Sequence, residues 1–382
     1  MRPSICLVMS SPFVLRVFLQ PQITELAKVF DITIITYEGG EDVVEALNIE
    51  AEVKHIKIER NISFWRDLMT LIRLYFFFRK KRFSVVQTLT PKPGMLGCVA
   101  AWLARVPVRV HWCLGQVWAT KLGAYRFILK VADRLTALAA TQLFVDSQSQ
   151  LDFLIAERVV SPAKACVILH GSICGVDCNR FAPNPERRAV FRKELGIPET
   201  STVFLYMSRL TKDKGALVMA DAFRLFASEA KDAFLIIVGP DEEQLLSSML
   251  TVMDGLQDRI RIFGVTSTPE LFFWTADVSC LPSFREGFGL VLMNASAAGI
   301  PAIASRIYGS TDAIVEGQSG LLHSPGHPEE LAELMLRLHR DPQLRMRLGH
   351  FGRTRAVEDF AQEKVTKAVL DRYLDLMGPA AP

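Results

Sequence analysis

A glutamate and two glycines, Glu286, Gly287 and Gly289, precede a run of small and apolar residues of helical character. The start of a helix offers unpaired backbone N–H groups and the positive end of the helix dipole, and both favour a bound anion. Glycines at this point let a ligand approach the backbone closely. Asn294 lies eight residues after Glu286, which is about 12 Å along a helix. The residue types and their spacing therefore predict an anion site with an acid at one end and an amide at the other.

The surrounding pattern indicates the elements that must position these residues. The stretch from Asp277 to Ser305 predicts a buried strand, a polar loop, a helix and a second buried strand, at 277–281, 283–286, 287–299 and 301–305. Positions 286, 290, 294 and 298 would then share nearly one helix face. A nucleotide-sugar, with hydroxyl-rich ends and a charged middle, would fit along that face. An ordinary crossover unit with a glycine-rich turn explains the same spacing equally well.

A second loop, SRLTKDKG, follows the predicted strand Val203–Met207 and carries Arg209, Lys212 and Lys214 beside another helix start. Positive charge fixed near a departing phosphate stabilises the negative charge that develops on it, by about 3–4 kcal/mol per donor. The sequence has no Asp-x-Asp metal motif in a plausible loop, so side-chain cations would have to supply this stabilisation. Taken alone, the loop could equally be a basic surface turn.

Both loops resemble the signature of glycosyltransferase family 4, the "group 1" retaining transferases. The family motif places a second glutamate eight residues after the first; here GFGLVLM separates Glu286 from Asn294, and Ala298-Gly299-Ile300-Pro301 fits the remainder. Residues 209–215 match the family's Arg-Leu-x-x-x-Lys-Gly motif. The resemblance implies an α/β GT-B fold, in which two doubly wound Rossmann-like domains face a cleft, and transfer of a sugar from a nucleotide donor without a metal.

The resemblance also implies roles for individual residues. Glu286, Arg209 and Lys214 are the expected catalytic residues, with Glu286 on the donor hexose hydroxyls and the two cations on the diphosphate. Asn294 takes the position used on the ribose hydroxyls, and the amides of Phe288 and Gly289 would add phosphate contacts. The remaining donor-binding candidates are the loop neighbours Gly287 and Leu290, the nucleobase candidates Ile262 and Phe263, and Gly239 of a further glycine loop.

Two positions depart from the family pattern. Asn294 can exchange hydrogen bonds but lacks the charge of a glutamate. Leu114 stands where relatives often carry a histidine near the donor hexose, and His111 lies in the preceding predicted strand. Gln116 and Trp118 are candidates for replacement sugar contacts, since an amide and an aromatic face suit a pyranose; both could equally be packing residues of the loop.

The composition of the chain bears on three further properties: a nucleic-acid partner, the redox compartment and a bound metal. The chain has 382 residues, half of them apolar, and a net charge of +3, so bulk charge gives no reason to expect a nucleic-acid partner. Its seven cysteines are scattered, which favours a reducing compartment. Cys174 and Cys178, with His170 before them, could suggest a zinc site, but the intervening glycines favour a turn. No metal or other cofactor is expected.

Strands and helices alternate through the first half, which predicts a parallel, doubly wound sheet. Predicted strands are Ile5–Met9, Ile32–Thr36, Val53–Ile58, Val85–Leu89, Val108–Trp112 and Gln142–Val145; predicted helices lie near 18–29, 64–82, 94–105, 122–140 and 148–157. We expect an acceptor-side domain at 1–175, onto which a last helix at 361–377 packs back, and a nucleotide-sugar-binding domain at 176–360. Helices near 327–340 and 343–357 belong to the second.

The predicted helix 64–82 combines Trp65, Tyr75 and the run Phe76–Phe78 with the basic run 79–82, a pattern typical of an interfacial helix on an anionic membrane. A helix packed on a sheet with a solvated basic end would look the same. No stretch is apolar enough to span a membrane, and no secretory signal is evident. The expected location is the cytoplasm, or peripherally the inner face of the cytoplasmic membrane.

The expected function is that of a retaining, metal-independent hexosyltransferase with a UDP-linked donor. Its expected acceptor is a sugar hydroxyl on an undecaprenyl-diphosphate-linked glycan, in bacterial surface-polysaccharide synthesis such as lipopolysaccharide or O-antigen. Two alternatives remain at this stage: a GT-B nucleotide-sugar epimerase, and a non-catalytic relative that binds a donor or a partner.

Overall fold

The computed structural model describes residues 2–59 and 63–378, so residues 1 and 60–62 of the predicted first domain lie outside it. The chain divides into two compact units. Unit 1 comprises the residues up to Gly175 together with those from Gln362 onward, and unit 2 comprises Val176–Ala361.

Unit 1 is built on a seven-stranded parallel sheet in the order β3-β2-β1-β4-β5-β6-β7. Its central strands are mostly apolar and almost wholly buried, as expected where helices cover both faces, although β4 carries Gln87 and Thr88 and β5 carries His111. The strands are β1 Ser4–Val8, β2 Asp31–Thr36, β3 Ala51–His55, β4 Val85–Leu89, β5 Val108–Cys113, β6 Gln142–Val145 and β7 Ala165–Val167.

The α-helices of unit 1 are α1 Pro12–Val14, α2 Gln20–Leu26, α3 Glu41–Ala46, α4 Phe64–Lys81, α5 Pro91–Leu103, α6 Gly123–Ala139 and α7 Gln148–Ala156. A π-helical segment, Leu15–Leu19, joins α1 to α2, and a 3₁₀ turn, Val117–Thr120, precedes α6. Helix α5 packs against both α4 and α6, so the three form one layer. The last helix of the chain, Gln362–Met377, packs against α2 and buries Tyr373 against Phe30 and Phe144.

Unit 2 has a six-stranded parallel sheet in the order β10-β9-β8-β11-β12-β13. Its strands are β8 Thr202–Met207, β9 Ala233–Val238, β10 Ile260–Phe263, β11 Val278–Leu281, β12 Ala302–Ser305 and β13 Gly320–His323. Its helices are α8 Pro185–Glu194, α9 Ala216–Glu229, α10 Leu246–Val252, α11 Glu270–Thr275, α12 Leu290–Ala297, α13 Ser310–Ala313, α14 Pro328–Arg340 and α15 Pro342–Asp359, which leaves α16 for Gln362–Met377 of unit 1.

The strand order of each sheet reverses direction at its first strand. In unit 2 this point lies between β8 and β11, whose neighbours continue the sheet in opposite directions. Ligands of such sheets bind beyond the carboxyl ends of the strands at this reversal, because the two following loops diverge there and leave an opening. The loops after β8 and β11 are the two that carry the predicted site.

The structure corrects several predicted elements. Helix α12 begins at Leu290 and ends at Ala297, so Glu286, Gly287 and Phe288 precede it and Glu286 shares no helix face with Asn294. The left-handed backbone of Gly289, at φ +86°, makes the entry to the helix. Sequence patterns did not identify β7 or the short helices α3, α10 and α11, which have few residues from which to read a period.

Candidate active site

The buried side chain of Tyr206, on β8, forms hydrogen bonds to the backbone of the loop that follows β8. The Tyr206 O–H lies 3.1 Å from the Lys214 carbonyl and 3.4 Å from the Arg209 carbonyl and donates to them. Burial, and to a lesser degree the charge of Glu286, raises the pKa of Tyr206, so the phenol remains a hydrogen-bond donor. One side chain of the sheet thus fixes the two ends of the cationic loop.

A glycine brings this loop against the loop after β11. Gly215 has φ +70°, and a Cβ at this position would lie 2.0 Å from the Pro282 carbonyl oxygen. The Phe284 N–H also donates to the Asp213 carbonyl at 2.8 Å, and Arg285 lies 3.4 Å from the Asp213 carboxylate. No residue with a side chain fits at 215 without moving one loop, which explains the glycine at the end of the Arg-Leu-x-x-x-Lys-Gly motif.

The two loops bring two of the predicted catalytic residues into contact. Lys214 Nζ lies 2.6 Å from Glu286 Oε1, with side chains 19% and 9% exposed. Lys214 ends a 3₁₀ turn, 212–214, which directs it toward the loop after β11. A largely buried ammonium and a largely buried carboxylate stabilise each other, because either charge alone would be costly to bury. A charged ligand that binds here can take the place of one partner.

Arg209 lies in the same loop but contacts a third one. Its Nη1 lies 2.7 Å from Glu242 Oε2, in the loop after β9. Gly239 permits this approach, because a Cβ there would lie 1.9 Å from the Ser208 carbonyl oxygen. The Gly239 N–H donates to the Phe263 carbonyl at 3.0 Å, which links the loop to β10 as well. Three loops at the carboxyl edge of one sheet are therefore joined around Arg209 and Lys214.

The entry to α12 presents open backbone donors. Within the residues that the structure describes, the N–H groups of Phe288, Gly289 and Leu290 donate to no acceptor. The Phe288 ring is buried against Phe360, at 5.2 Å between centroids, and anchors the turn. Gly309 packs on the Gly287 backbone, with a would-be Cβ 2.6 Å from its carbonyl oxygen. This entry has the open N–H groups and the dipole that favour an anion.

Asn294 lies in the second turn of α12 and is half-buried. Among the described residues its side-chain amide makes no hydrogen bond. An amide that is partly shielded from water and has no protein partner is available to a ligand hydroxyl. The structure does not bring it into contact with Glu286.

The two nucleobase candidates lie on β10, at one end of the sheet order. Ile262 is exposed, while Phe263 is half-buried and packs on Phe191 and Phe272. Phe263 therefore contributes its backbone to the loop network and its ring to the core. Ile262 has the more accessible side chain of the two.

Unit 1 has a different chemistry at the carboxyl ends of its strands. His111 is buried; its Nδ1 lies 2.9 Å from Thr88 Oγ1, and burial lowers the pKa of His111 to about 4. Gln150 donates to Gln116 Oε1 at 2.9 Å. Trp118 is buried, donates its indole N–H to Asp133 and stacks on Phe153. Gln116 and Trp118 are therefore packing residues, the second of the two predictions made for them.

Sequence patterns did not single out Tyr206, Asp213, Arg285 or Glu242. Each acts on the site through a contact between segments distant in sequence, so no local spacing marks it.

Three buried hydroxyls have no hydrogen-bond partner among the described residues, which is a further sign of a ligand site here: Thr211, Ser283 and Ser310.

No group of three or more His, Cys, Asp or Glu side chains within residues 2–59 and 63–378 could hold a metal ion. In that same part of the chain, none of the helices combines the length and the apolar character needed to cross a membrane.

Cys174 was part of the zinc site that the sequence could suggest. Burial raises the pKa of the Cys174 thiol to about 12, so at neutral pH the thiol carries its proton. Residues 169–170 and 178–180 form turns.

Taken together, unit 2 offers two cations, a buried carboxylate and open amides where its strand order reverses. Cations and amides suit a diphosphate, and a carboxylate that accepts hydrogen bonds suits sugar hydroxyls. These groups lie where Rossmann-like units bind their ligands, beyond the carboxyl ends of the strands at the reversal of strand order.

Comparison with known proteins agrees with this class. Residues 187–355 match the family model described as glycosyl transferases group 1, and residues 17–171 match that of the glycosyl transferase 4-like domain. The Staphylococcus aureus capsular polysaccharide biosynthesis glycosyltransferase CapM is 26% identical over 91% of this chain and 90% of its own. The Escherichia coli UDP-Gal:alpha-D-GlcNAc-diphosphoundecaprenol alpha-1,3-galactosyltransferase is 29% identical, again over 91% of this chain and 90% of its own.

The crystal structure of Anabaena Alr3699/HepE in complex with UDP and glucose superposes with a TM-score of 0.81, at 19% identity over 97% of this chain and 99% of that one. The chain belongs to the group 1 glycosyltransferases, also called family 4. The predicted family and the predicted GT-B fold, with its two Rossmann-like parallel sheets, are confirmed. The protein is a glycosyltransferase that transfers a sugar from a nucleotide-sugar, which decides against the epimerase alternative.

Proposed function

We propose that this enzyme is a retaining, metal-independent hexosyltransferase that uses a UDP-linked donor and extends a lipid-linked glycan in surface-polysaccharide synthesis. The observation that carries the proposal is the junction of Lys214 and Glu286, with Arg209 in the same loop, where the strand order of unit 2 reverses. In this proposal the unit 176–361 binds the donor, and the unit formed by residues up to 175 and from 362 binds the acceptor.

The proposed donor roles follow from the chemistry of each group. Arg209 and Lys214 hold the diphosphate, with the amides of Phe288 and Gly289, next to Gly287 and Leu290, on its oxygens. Glu286 accepts hydrogen bonds from the hexose hydroxyls. Asn294 binds the ribose. The β10 edge at Ile262 and Phe263, joined to the loop at Gly239, faces the base.

In the proposed reaction the bond between the anomeric carbon and the phosphate oxygen breaks, and its electron pair stays with the nucleoside diphosphate. Lys214 and Arg209 stabilise the negative charge that develops there. The acceptor hydroxyl attacks the anomeric carbon from the face that the diphosphate leaves. Its proton passes to the departing phosphate oxygen, so the anomeric configuration is retained and no carboxylate nucleophile is needed.

The acceptor proposal rests on two curated relatives that each match most of the chain. One is a capsular polysaccharide enzyme, and the name of the other specifies a diphosphoundecaprenol acceptor and a UDP-linked galactose. We also propose that the glycan belongs to lipopolysaccharide or O-antigen, and the donor panel described below identifies the hexose.

A lipid-linked acceptor calls for access to a membrane surface, and two helices of unit 1 support such a contact. Helix α4 exposes a stripe of Phe64, Trp65, Met69, Ile72 and Phe76, and its last turn is basic. Trp65 is 74% exposed. Helix α6, in the same layer, exposes Tyr125, Phe127, Ile128, Leu135 and Leu138, and Leu122 just before it is exposed as well. Apolar side chains with a basic border are typical of a surface that binds anionic lipid, and we propose peripheral contact of this face with the cytoplasmic membrane.

The central test is transfer of radiolabelled hexose from a panel of nucleotide-sugars to an undecaprenyl-diphosphate-linked acceptor. Glu286→Ala should lower kcat/KM by about 10²- to 10³-fold, the loss typical when one preorganised group that stabilises a transition state is removed. The matched control is Glu316→Ala, which removes an exposed partner of Arg306 elsewhere in unit 2 and should leave the rate within twofold. Equal transfer by wild type and Glu286→Ala would contradict the role of Glu286. Absence of transfer above background by wild type would instead favour a non-catalytic, donor-binding relative.

The ribose proposal has its own test. Asn294→Glu should tighten binding of the preferred nucleoside diphosphate by about fivefold, because a charged acceptor forms stronger hydrogen bonds to hydroxyls than an amide does. Isothermal titration of the ribo- and 2′-deoxyribonucleotide forms measures this. An unchanged affinity for both forms would refute the assignment of Asn294.

The membrane proposal is tested by flotation with vesicles. Wild type should bind vesicles that contain anionic lipid, and the double variant Trp65→Ser, Phe76→Ser should bind at least fivefold less, because two exposed aromatic anchors are lost. Met346→Ser, at an exposed position of unit 2, is the control. Equal flotation of all three proteins would rule out α4 as the contact.

A further inference from the structure

The loop after β9 is fastened to the cationic loop at several points. The Ser208 N–H donates to the Val238 carbonyl at 3.0 Å, and the Leu210 N–H donates to the Pro240 carbonyl at 2.8 Å. Gly239 presses on the Ser208 carbonyl so closely that no side chain fits between them. The residues that follow Gly239 therefore cannot move away from Arg209 without breaking backbone contacts.

Two adjacent carboxylates of this loop face the cationic loop. Glu242 Oε2 lies 2.7 Å from Arg209 Nη1, with side chains 32% and 36% exposed. Glu243 Oε2 accepts a hydrogen bond from the backbone N–H of Lys212 at 3.0 Å. Glu243 thus binds the backbone of the loop, whereas Glu242 binds the guanidinium that we assign to the diphosphate.

We propose that Glu242 is an internal competitor of the nucleotide for Arg209. With no nucleotide bound, its carboxylate occupies the guanidinium; when a nucleotide-sugar enters, the diphosphate takes its place, and Glu242 regains Arg209 as the nucleoside diphosphate leaves. Glu242 thereby weakens binding of donor and product alike and speeds release of the product. This inference rests on the proposed function, since it takes Arg209 as a diphosphate ligand.

The exchange follows from the strengths of the two interactions. An ion pair that is one-third exposed holds its partners weakly, because water competes for both charges. A diphosphate carries more negative charge and can engage a guanidinium through two parallel hydrogen bonds. The diphosphate therefore displaces the carboxylate, yet its net affinity is lowered by the contact that it must replace. Glutamine at 242 keeps the shape and the hydrogen-bonding oxygen but removes the competing charge.

The experiment compares Glu242→Gln with Glu243→Gln by isothermal titration. Each variant removes one negative charge from the same loop, and only the first touches Arg209. A panel of UDP, GDP, ADP and dTDP identifies the nucleoside diphosphate that wild type binds best. Glu242→Gln should bind it three- to fivefold more tightly, while Glu243→Gln should stay within 1.5-fold of wild type. The matching nucleoside, which has no phosphate, should show no gain with either variant.

Steady-state kinetics give a second readout. In Glu242→Gln the inhibition constant of the product nucleotide should fall by the same factor. Weaker binding in Glu242→Gln would overturn the proposal, since Glu242 would then orient Arg209 for the ligand. Equal gains in both variants would also overturn it, because the effect would come from general charge. If wild type binds none of the four nucleotides, the donor proposal itself fails, and the inference with it.

Discussion

Two lysine–carboxylate pairs of this protein have nearly the same geometry and very different surroundings. Lys214 and Glu286 in unit 2 are 2.6 Å apart with side chains 19% and 9% exposed; Lys92 and Asp67 in unit 1 are 2.6 Å apart with side chains 13% and 15% exposed. The first pair joins two loops where the strand order reverses. The second joins the first turns of α4 and α5, and Asp67 also accepts the Ser63 N–H at 3.1 Å.

The difference shows that a short, shielded ion pair does not by itself mark an active site. Lys92 and Asp67 fasten two neighbouring helices, and Asp67 begins its helix with an acid where the dipole favours one. Lys214 and Glu286 instead have open amides at the entry to α12 and a second cation, Arg209, within the same loop. Both units share one sheet type, and we attribute their different proposed roles to the loops that follow the strands.

The largest expected effect is the loss of catalytic activity when Lys214, of the first ion pair, loses its charge. Lys214→Met keeps the length of the side chain but removes its charge, and should lower kcat/KM by about 10²- to 10³-fold because a charge aimed at the leaving group is lost. The affinity for the nucleoside diphosphate should fall as well. Initial rates with the nucleotide-sugar identified above measure this. A rate within fivefold of wild type would mean that Lys214, like Lys92, only holds elements together.

The next effect tests whether the approach of the two loops in unit 2 is essential. Gly215→Ala places a Cβ 2.0 Å from the Pro282 carbonyl at a residue with φ +70°; Gly317→Ala has the same sign of φ, at +74°, with open space around it. Gly317→Ala should cost about 1 kcal/mol from backbone strain alone. Gly215→Ala should cost about 3 kcal/mol or more, because the clash adds to the strain. Urea unfolding of both variants measures the difference, and equal costs would show that the loops separate easily.

The sequence predicted candidate residues that the structure brings together where a short motif holds them close in the chain. Glu286 with its glycines, and Arg209 with Lys214, belong to short patterns whose spacing reflects one turn of chain. The alternation of apolar runs with helical patterns likewise predicted the parallel sheets, because strands covered on both faces are apolar throughout. Each central strand of unit 1 lies within two residues of its predicted bounds.

The contacts that fasten the loops were not predictable in the same way. Tyr206 reads as an ordinary apolar position of β8, and its bonds to the carbonyls of Arg209 and Lys214 depend on where the loop returns in space. Glu242 reads as a solvent-exposed acid of a polar turn. The start of α12 was placed three residues early because small and apolar residues precede Gly289, and only its left-handed backbone marks the true entry.

The third prediction concerns the buried, uncharged chemistry of unit 1. The pKa of His111 is lowered to about 4 in the folded protein by burial, whereas an unfolded histidine titrates near 6.5. Below pH 6.5 the unfolded chain therefore binds a proton that the folded chain does not, and stability is lost as pH falls from 6.5 toward 4. At pH 5 this loss should be about 2 kcal/mol, at roughly 1.4 kcal/mol per unit.

His111→Gln removes that titration while keeping a polar side chain near Thr88. The variant should lose about 2 kcal/mol less than wild type between pH 7.5 and pH 5. Tryptophan fluorescence during urea unfolding is a suitable probe, because four of the five tryptophans, including Trp112 beside His111, belong to unit 1. Parallel losses in the two proteins would show that His111 is protonated without cost in the folded state.

The smallest expected effect returns to the second ion pair. Lys92→Met removes one partner and leaves the Asp67 carboxylate with the Ser63 N–H and the dipole of α4. Removing one partner costs about 3–5 kcal/mol in a fully buried pair and about 0–1 kcal/mol at the surface, so a pair 13% and 15% exposed should lose about 1–2 kcal/mol. Nucleoside diphosphate affinity should be unchanged, because the proposed function assigns the nucleotide to unit 2. An affinity that falls with Lys92→Met as it does with Lys214→Met would mean that both pairs serve the donor, and the contrast between the two units would be wrong.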